Sequence, residues 1–172
     1  PSFSLGWRLS EENFIKNNTD LFNELKLRGS VGLSSKDGNN SYYGAQAVYN
    51  LNTLTSYGGY NYLQMSQPGN ENLDWERTIT YDAGLDMEMF EGRLKMTLDY
   101  FYKKTTNMLF ASDLPLYTGY MKENQNIADM MNQGIDLQFI TTNIQTNDFQ
   151  WQTILNLSRS TNKILKLNFE GN

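Results

Sequence analysis

The chain has 172 residues and a formal net charge of −5, so it lacks the cationic surplus that neutralises nucleic-acid phosphates. It contains no cysteine and no histidine, which excludes disulfides, thiolate metal sites, thiol nucleophiles and imidazole bases; no cofactor and no nucleic-acid partner are expected. No apolar run nears the roughly 18 residues of a membrane helix, but a membrane β-strand leaves no hydropathy peak, so only helical spans are excluded.

Read in chain order, the dominant signal is period-two alternation, which sends successive side chains to opposite faces of a strand. The start, Pro1-Ser2-Phe3-Ser4-Leu5, already alternates and reads as strand, not as a secretory leader; the first strand is expected at 2–9, with Phe3, Leu5, Trp7 and Leu9 on one face. A link at 10–21 has a candidate helical turn from Glu11 to Asn18, with Ser10 as N-cap. In a strand at 22–34, Leu25, Leu27, Gly29, Val31 and Leu33 alternate with Glu24, Lys26, Arg28, Ser30 and Gly32.

A long loop, 35–73, follows, carrying Tyr42, Tyr43, Tyr49, Tyr57, Tyr60 and Tyr62 among Asn, Gly and Ser. Its Asp37-Gly38-Asn39-Asn40 lacks the ligand spacing and closing Glu of a calcium loop and reads as a turn. In the strand at 74–90, Trp75, Ile79, Tyr81, Ala83, Leu85, Met87 and Met89 share one face, with Arg77 the exception. Glu76, Thr78, Thr80, Asp82, Gly84, Asp86 and Glu88 share the other. Phe90-Glu91-Gly92 is a tight link whose Gly supplies positive φ, making a hairpin with a strand at 93–106. There Leu94, Met96, Leu98, Tyr100 and Tyr102 oppose Lys95, Thr97, Asp99, Phe101 and Lys103, and only Phe101 breaks the pattern. A second long loop is expected at 107–131, with Tyr117, Tyr120 and Met121, then strands at 132–143 and 149–161 joined by a short turn at 144–148.

The charged face must meet water, because burying unpaired charges costs several kcal/mol each. The apolar face needs a cover, either a second sheet or lipid, and periodicity alone leaves these two open. A soluble β-sandwich, serving as a carbohydrate-binding or surface adhesion module, is the alternative class. Two features favour a barrel. Short and long connections alternate, and Trp7, Trp75, Tyr100, Tyr102 and Trp151 lie near strand ends, where an interfacial aromatic girdle falls.

Gly6-Trp7-Arg8-Leu9-Ser10-Glu11-Glu12-Asn13-Phe14, followed by Leu25-Lys26-Leu27-Arg28-Gly29-Ser30-Val31-Gly32, resembles the SusC/RagA-type family of TonB-linked outer-membrane transporters. Asn72-Leu73-Asp74-Trp75-Glu76-Arg77-Thr78, Gly84-Leu85-Asp86 and Asp99-Tyr100-Phe101-Tyr102-Lys103-Lys104-Thr105-Thr106 continue the likeness. Leu114-Pro115, Thr118-Gly119-Tyr120 and Asn132-Gln133-Gly134-Ile135-Asp136 complete it in the same order. Two loop positions depart: Gly69-Asn70-Glu71-Asn72 stands where the family has Asn-Pro, and Ala128 where it has Gly.

The resemblance implies an all-β fold, an antiparallel up-and-down transmembrane β-barrel segment. Residues 1–172 would form part of the barrel domain of a TonB-dependent receptor, in the outer membrane of a Gram-negative, Bacteroidota-type cell. The barrel would have about 22 strands around a plug; the plug, TonB box and remaining strands are expected to be missing here. Implied partners are a SusD-like surface lipoprotein acting as a lid, the TonB system, outer-membrane lipid, and a glycan or peptide substrate.

In that frame Asp82, Asp86, Glu88, Lys95 and Asp99 are expected to face the lumen, and Leu94, Met96, Leu98, Tyr100 and Tyr102 the membrane. Alternation explains the acidic residues more cheaply than a glycosidase pair, so no catalytic and no metal residue is assigned. Loops 35–73 and 107–131 would lie outside the cell. Their Tyr42, Tyr43, Tyr49, Tyr57, Tyr60, Tyr62, Tyr117 and Tyr120 are candidates for substrate or lid contact, with packing of the loops on themselves as the competing reading.

Overall fold

A computed structural model describes residues 1–17, 21–37, 43–57, 60–120 and 122–168, the side chains of 51–57, 60–62, 64, 66, 67 and 116 being outside the description. The strands are β1 (Ser2–Arg8), β2 (Phe22–Lys36), β3 (Val48–Tyr57), β4 (Tyr60–Gln67), β5 (Glu76–Met89), β6 (Leu94–Asp113), β7 (Lys122–Gln145) and β8 (Gln150–Leu167). Six form one antiparallel sheet in the order β1-β2-β5-β6-β7-β8, and β3-β4 pair as a separate hairpin. All six strands expected from alternation are present, as an up-and-down meander.

Register follows the alternation. Phe3, Leu5 and Trp7 stand opposite Val31, Gly29 and Leu27, while Ser4, Gly6 and Arg8 stand opposite Ser30, Arg28 and Lys26. Apolar meets apolar and polar meets polar, because a one-residue slip would send every side chain to the wrong face.

Differences from the sequence expectation concentrate at 35–73 and 107–131. The first contains the β3–β4 hairpin, and the second is mostly strand, leaving only 114–121 between β6 and β7. Lys122–Met131 carries no apolar period, yet it pairs, since strand ladders join backbones and need no greasy face. Ala128, expected in a loop, is a buried strand residue of β7. At 24 residues β7 is more than twice the roughly 9–11 that cross a bilayer at a tilt.

The helical turn is shorter than expected, Asn13–Lys16. Ser10 does not cap it: it lies in a 3-10 turn, Leu9–Glu11, and Glu12 occupies the cap position. The Glu12 carboxylate instead accepts from Trp7 Nε1 at 2.9 Å. In the β5–β6 turn Gly92 does take positive φ, and Phe90 and Glu91 take it too, at 54° and 55°. Arg93 N–H donates to the Phe90 carbonyl, so Glu91-Gly92 form the centre of a type I′-like turn, tied by Glu91 N–H to Asn23 Oδ1 at 2.8 Å.

The chain divides into two compact units. One comprises Pro1–Ser34, Thr78–Lys104 and Met131–Lys163; the other comprises Ser35–Arg77, Thr105–Met130 and Ile164–Asn172. Among the described residues the buried hydrophobic side chains are Ile127 and Ala128, while Phe3, Leu5, Trp7, Tyr81, Ile135, Trp151 and Leu157 are all exposed. A sandwich would bury those side chains beneath a second sheet.

Candidate functional site

In the first unit the polar face is organised by Arg28, at the centre of β2. Its Nε and Nη2 donate to the two Asp86 oxygens at 2.7 and 3.1 Å, and Nη2 also donates to Asp99 Oδ1 at 2.8 Å. One planar guanidinium thus ties β2, β5 and β6, with the two-pronged geometry that makes Arg–carboxylate pairs strong. All three side chains are about two-thirds screened from solvent, at 32%, 30% and 27% relative exposure. Gly84 makes the space: a Cβ there would collide with Asp99 Oδ1 and lie 2.7 Å from Arg28 Nη2.

Lys95 Nζ pairs with Glu88 Oε2 at 3.0 Å on the same face. Asp82 shares with Lys26, Arg28 and Ser4 a depression of about 280 Å³. Asp136 accepts from Ser158, and Gln138 Nε2 donates to Asn156 Oδ1 at 3.1 Å. Asp86 and Asp99 therefore meet in one cluster, Glu88 and Lys95 pair in a second, and Asp82 lines the depression. Phe101, the exception to alternation, lies over Gly134, whose missing Cβ leaves room for the ring. Sequence reading placed Arg28 on this face but missed it as the hub, since alternation reports a face and not a partner.

The opposite face of the same strands has different chemistry. Tyr81 and Tyr102 meet with ring centroids 6.2 Å apart. Phe3, Leu5, Tyr81 and Tyr100 stand exposed around Gly29, Val31 and Ala83. Leu94, Met96, Leu98, Tyr100 and Tyr102 alternate in β6 with the residues of the charged face.

The second unit is held by side chain-to-backbone hydrogen bonds. Asn126 accepts from Asp74 N–H at 2.7 Å and donates through Nδ2 to the carbonyls of Asp74 and Asn107, at 2.8 and 2.7 Å. Within β6 Asn107 takes φ of +58°; its N–H donates to Asp129 Oδ1 and its Nδ2 to Asp74 Oδ2. Glu76 Oε1 accepts from Leu109 N–H at 3.0 Å. The Leu-Asp-Trp-Glu segment at 73–76 thus acts as a clasp, with Asp74 and Glu76 engaging β6.

Of the loop tyrosines, Tyr43 and Tyr49 are exposed and Tyr117 is almost wholly so, at 89%. Tyr120 is half-buried, its hydroxyl 2.6 Å from Met65 Sδ. The side chains of Tyr57, Tyr60 and Tyr62, together with Tyr42, Met121 and residues 38–40, lie outside the described residues.

A model of the TonB-dependent receptor-like β-barrel matches residues 1–171. The chain belongs to that family. It is 37% identical to the TonB-dependent receptor P26 of Formosa agariphila, and 33% identical to the TonB-dependent receptor SusC of Bacteroides thetaiotaomicron, each over 97% of this chain. Among solved structures, the RagAB peptide importer in its closed-closed state superposes with a TM-score of 0.86 and 26% identity over 99% of this chain. The chain spans 17% of the length of those two curated relatives and 18% of the matched RagAB chain. The meander is therefore a segment of antiparallel barrel wall of the SusC/RagA type, and the exposed apolar side chains are those of a wall rather than of an unfinished core.

Proposed function

We propose that this chain is wall and loop of an outer-membrane TonB-dependent transporter that imports glycans or peptides with a SusD-like lipoprotein. The observation that carries the reading is the division of one set of strands into a charged face centred on Arg28, Asp86 and Asp99 and an uncovered aromatic–aliphatic face. In a barrel the first faces a watery lumen and the second lipid. The segment does no bond chemistry; energy comes through TonB, and the loop ends lie outside the cell. Two features support loop contact with a lid or substrate: the separate β3–β4 hairpin and the exposed Tyr43, Tyr49 and Tyr117. A peptide cargo is favoured by the RagAB likeness, and a glycan by the flat, hydroxyl-bearing tyrosines.

The test uses single cysteines in the full-length transporter, freed of any others, at Asp82, Asp99, Met96 and Leu98. Water-soluble maleimide is expected to label the first two and not the last two; equal labelling of all four sinks the two-faced wall. Replacing Tyr43, Tyr49 and Tyr117 together by Ala is expected to lower uptake or lipoprotein capture at unchanged membrane level. Unchanged uptake and capture would remove those loops from the reading.

A further inference from the structure

The second unit holds a cleft of about 330 Å³ between Asn70 and Asn72, the start of β7, and Asn168 just past the end of β8. Two of its side chains are engaged elsewhere. Asn70 donates through Nδ2 to the Asn124 carbonyl, and Asn126 binds Asp74 and Asn107, so both build the wall. Others are free. Among the described residues the carboxamides of Asn72 and Asn168 have no partner, and Glu123 accepts one hydrogen bond, from Gln125 Nε2 at 3.0 Å, and pairs with no cation. Gln125 Oε1 is shut off from solvent and also lacks a partner. The wall therefore holds more hydrogen-bonding capacity than its own groups satisfy.

We infer that this cleft binds one neutral sugar ring of a glycan through its hydroxyls. The lining decides the chemistry by elimination. Among the described residues no Lys or Arg lines the cleft and Glu123 does, so phosphates, carboxylates and acidic sugars are repelled. Ile127 is the single apolar residue of the lining, which leaves a greasy peptide side chain without cover. An ammonium group or a divalent ion wants acceptors alone, whereas Asn72 and Asn168 each carry N–H donors beside the carbonyl. A hydroxyl donates and accepts at once, and so suits a wall of carboxamides with one carboxylate among them. The volume lies at the small end of the roughly 300–1,000 Å³ of small-molecule sites, room for a ring rather than a long chain. The inference rests on the transporter reading above and narrows its cargo, at this one place, from glycan or peptide to glycan.

The experiment titrates the full-length transporter, in detergent, with the methyl glycosides of glucose, galactose and mannose and reads binding by saturation-transfer NMR. At least one glycoside is expected to bind. Asn72→Ala and Asn168→Ala remove free carboxamides and no side-chain bond within the protein, so both variants should fold, and each should weaken binding about tenfold. Glu123→Gln keeps an acceptor and should weaken it only about threefold. Binding that is abolished by Glu123→Gln and untouched by Asn72→Ala marks a cation site and overturns the inference. So does binding equal in wild type and both asparagine variants, failure of all three glycosides to bind, or a synthetic peptide that binds in their place and is weakened by Asn72→Ala. The maleimide pattern at Asp82, Asp99, Met96 and Leu98 separates the two readings. If the two faces label differently, a negative glycoside result rejects the cleft alone; if all four positions label equally, both readings fall.

Discussion

The two units hold their strands together by different means. In the first, side chains segregate by face and the charged ones pair with each other, Arg28 with Asp86 and Asp99 and Lys95 with Glu88. In the second, Asn126, Asp129, Glu76 and Asn70 reach past the side chains and bind backbone groups of other segments. Face segregation positions a surface and tolerates exchange within a face. Amide-to-backbone clasps fix particular strands at particular residues, and each lost clasp strands a backbone group.

That contrast can be broken most readily at Asn126. Asn126→Ala removes three hydrogen bonds to Asp74 and Asn107 and should lower barrel stability by roughly 2–3 kcal/mol, read as a lower urea midpoint of the strand signal in detergent. Asn126→Asp keeps the acceptor and should cost about half as much; equal losses would show that the acceptor bond from Asp74 N–H contributes nothing and the two amide donor bonds carry the whole effect.

Arg28→Ala leaves Asp86 and Asp99 facing each other without their shared cation, for a loss of roughly 1–2 kcal/mol. The triple change Arg28→Met, Asp86→Asn, Asp99→Asn should recover most of it, because a neutral, filled site avoids the stranded charge. No recovery would mean that the ions, not the filled space, hold the three strands.

At Asn107 the backbone is left-handed, so Asn107→Ala should cost about 1–2 kcal/mol and Asn107→Gly less, by the same midpoint. Equal losses in the two variants would assign the position's importance to the side-chain bond with Asp74, which both remove, rather than to φ. The smallest effect is expected at the β5–β6 turn. Glu91→Asn creates Asn-Gly at the centre of a type I′-like turn and should raise stability by about 0.5 kcal/mol.

Legibility from sequence follows the same division. Where strands segregate by face, as at Leu94–Lys103, alternation shows in every second residue, and both the strand and its two faces could be read. Lys122–Met131 hid its strand, because residues that clasp backbones are chosen for reach and hydrogen-bonding atoms, not for a period. The β3–β4 hairpin hid for a related reason: its stretch is rich in Asn, Ser, Thr and Tyr, which read as loop until two segments pair. The loop tyrosines were visible as residue types, but their exposure was not.

Sequence alone determined that the chain is built of two-faced strands in a meander, that one face needs water, and which motifs it shares with the transporter barrels. Those follow from period two and the cost of burying charge, both local to a strand. Only tertiary structure decided that Arg28 joins three strands, that Asn126 locks Asp74 to Asn107, and that Gly84 leaves the space in which Arg28 meets Asp99. Each of these depends on which residues stand opposite across neighbouring strands, a relation set by register and by the space that one missing Cβ leaves.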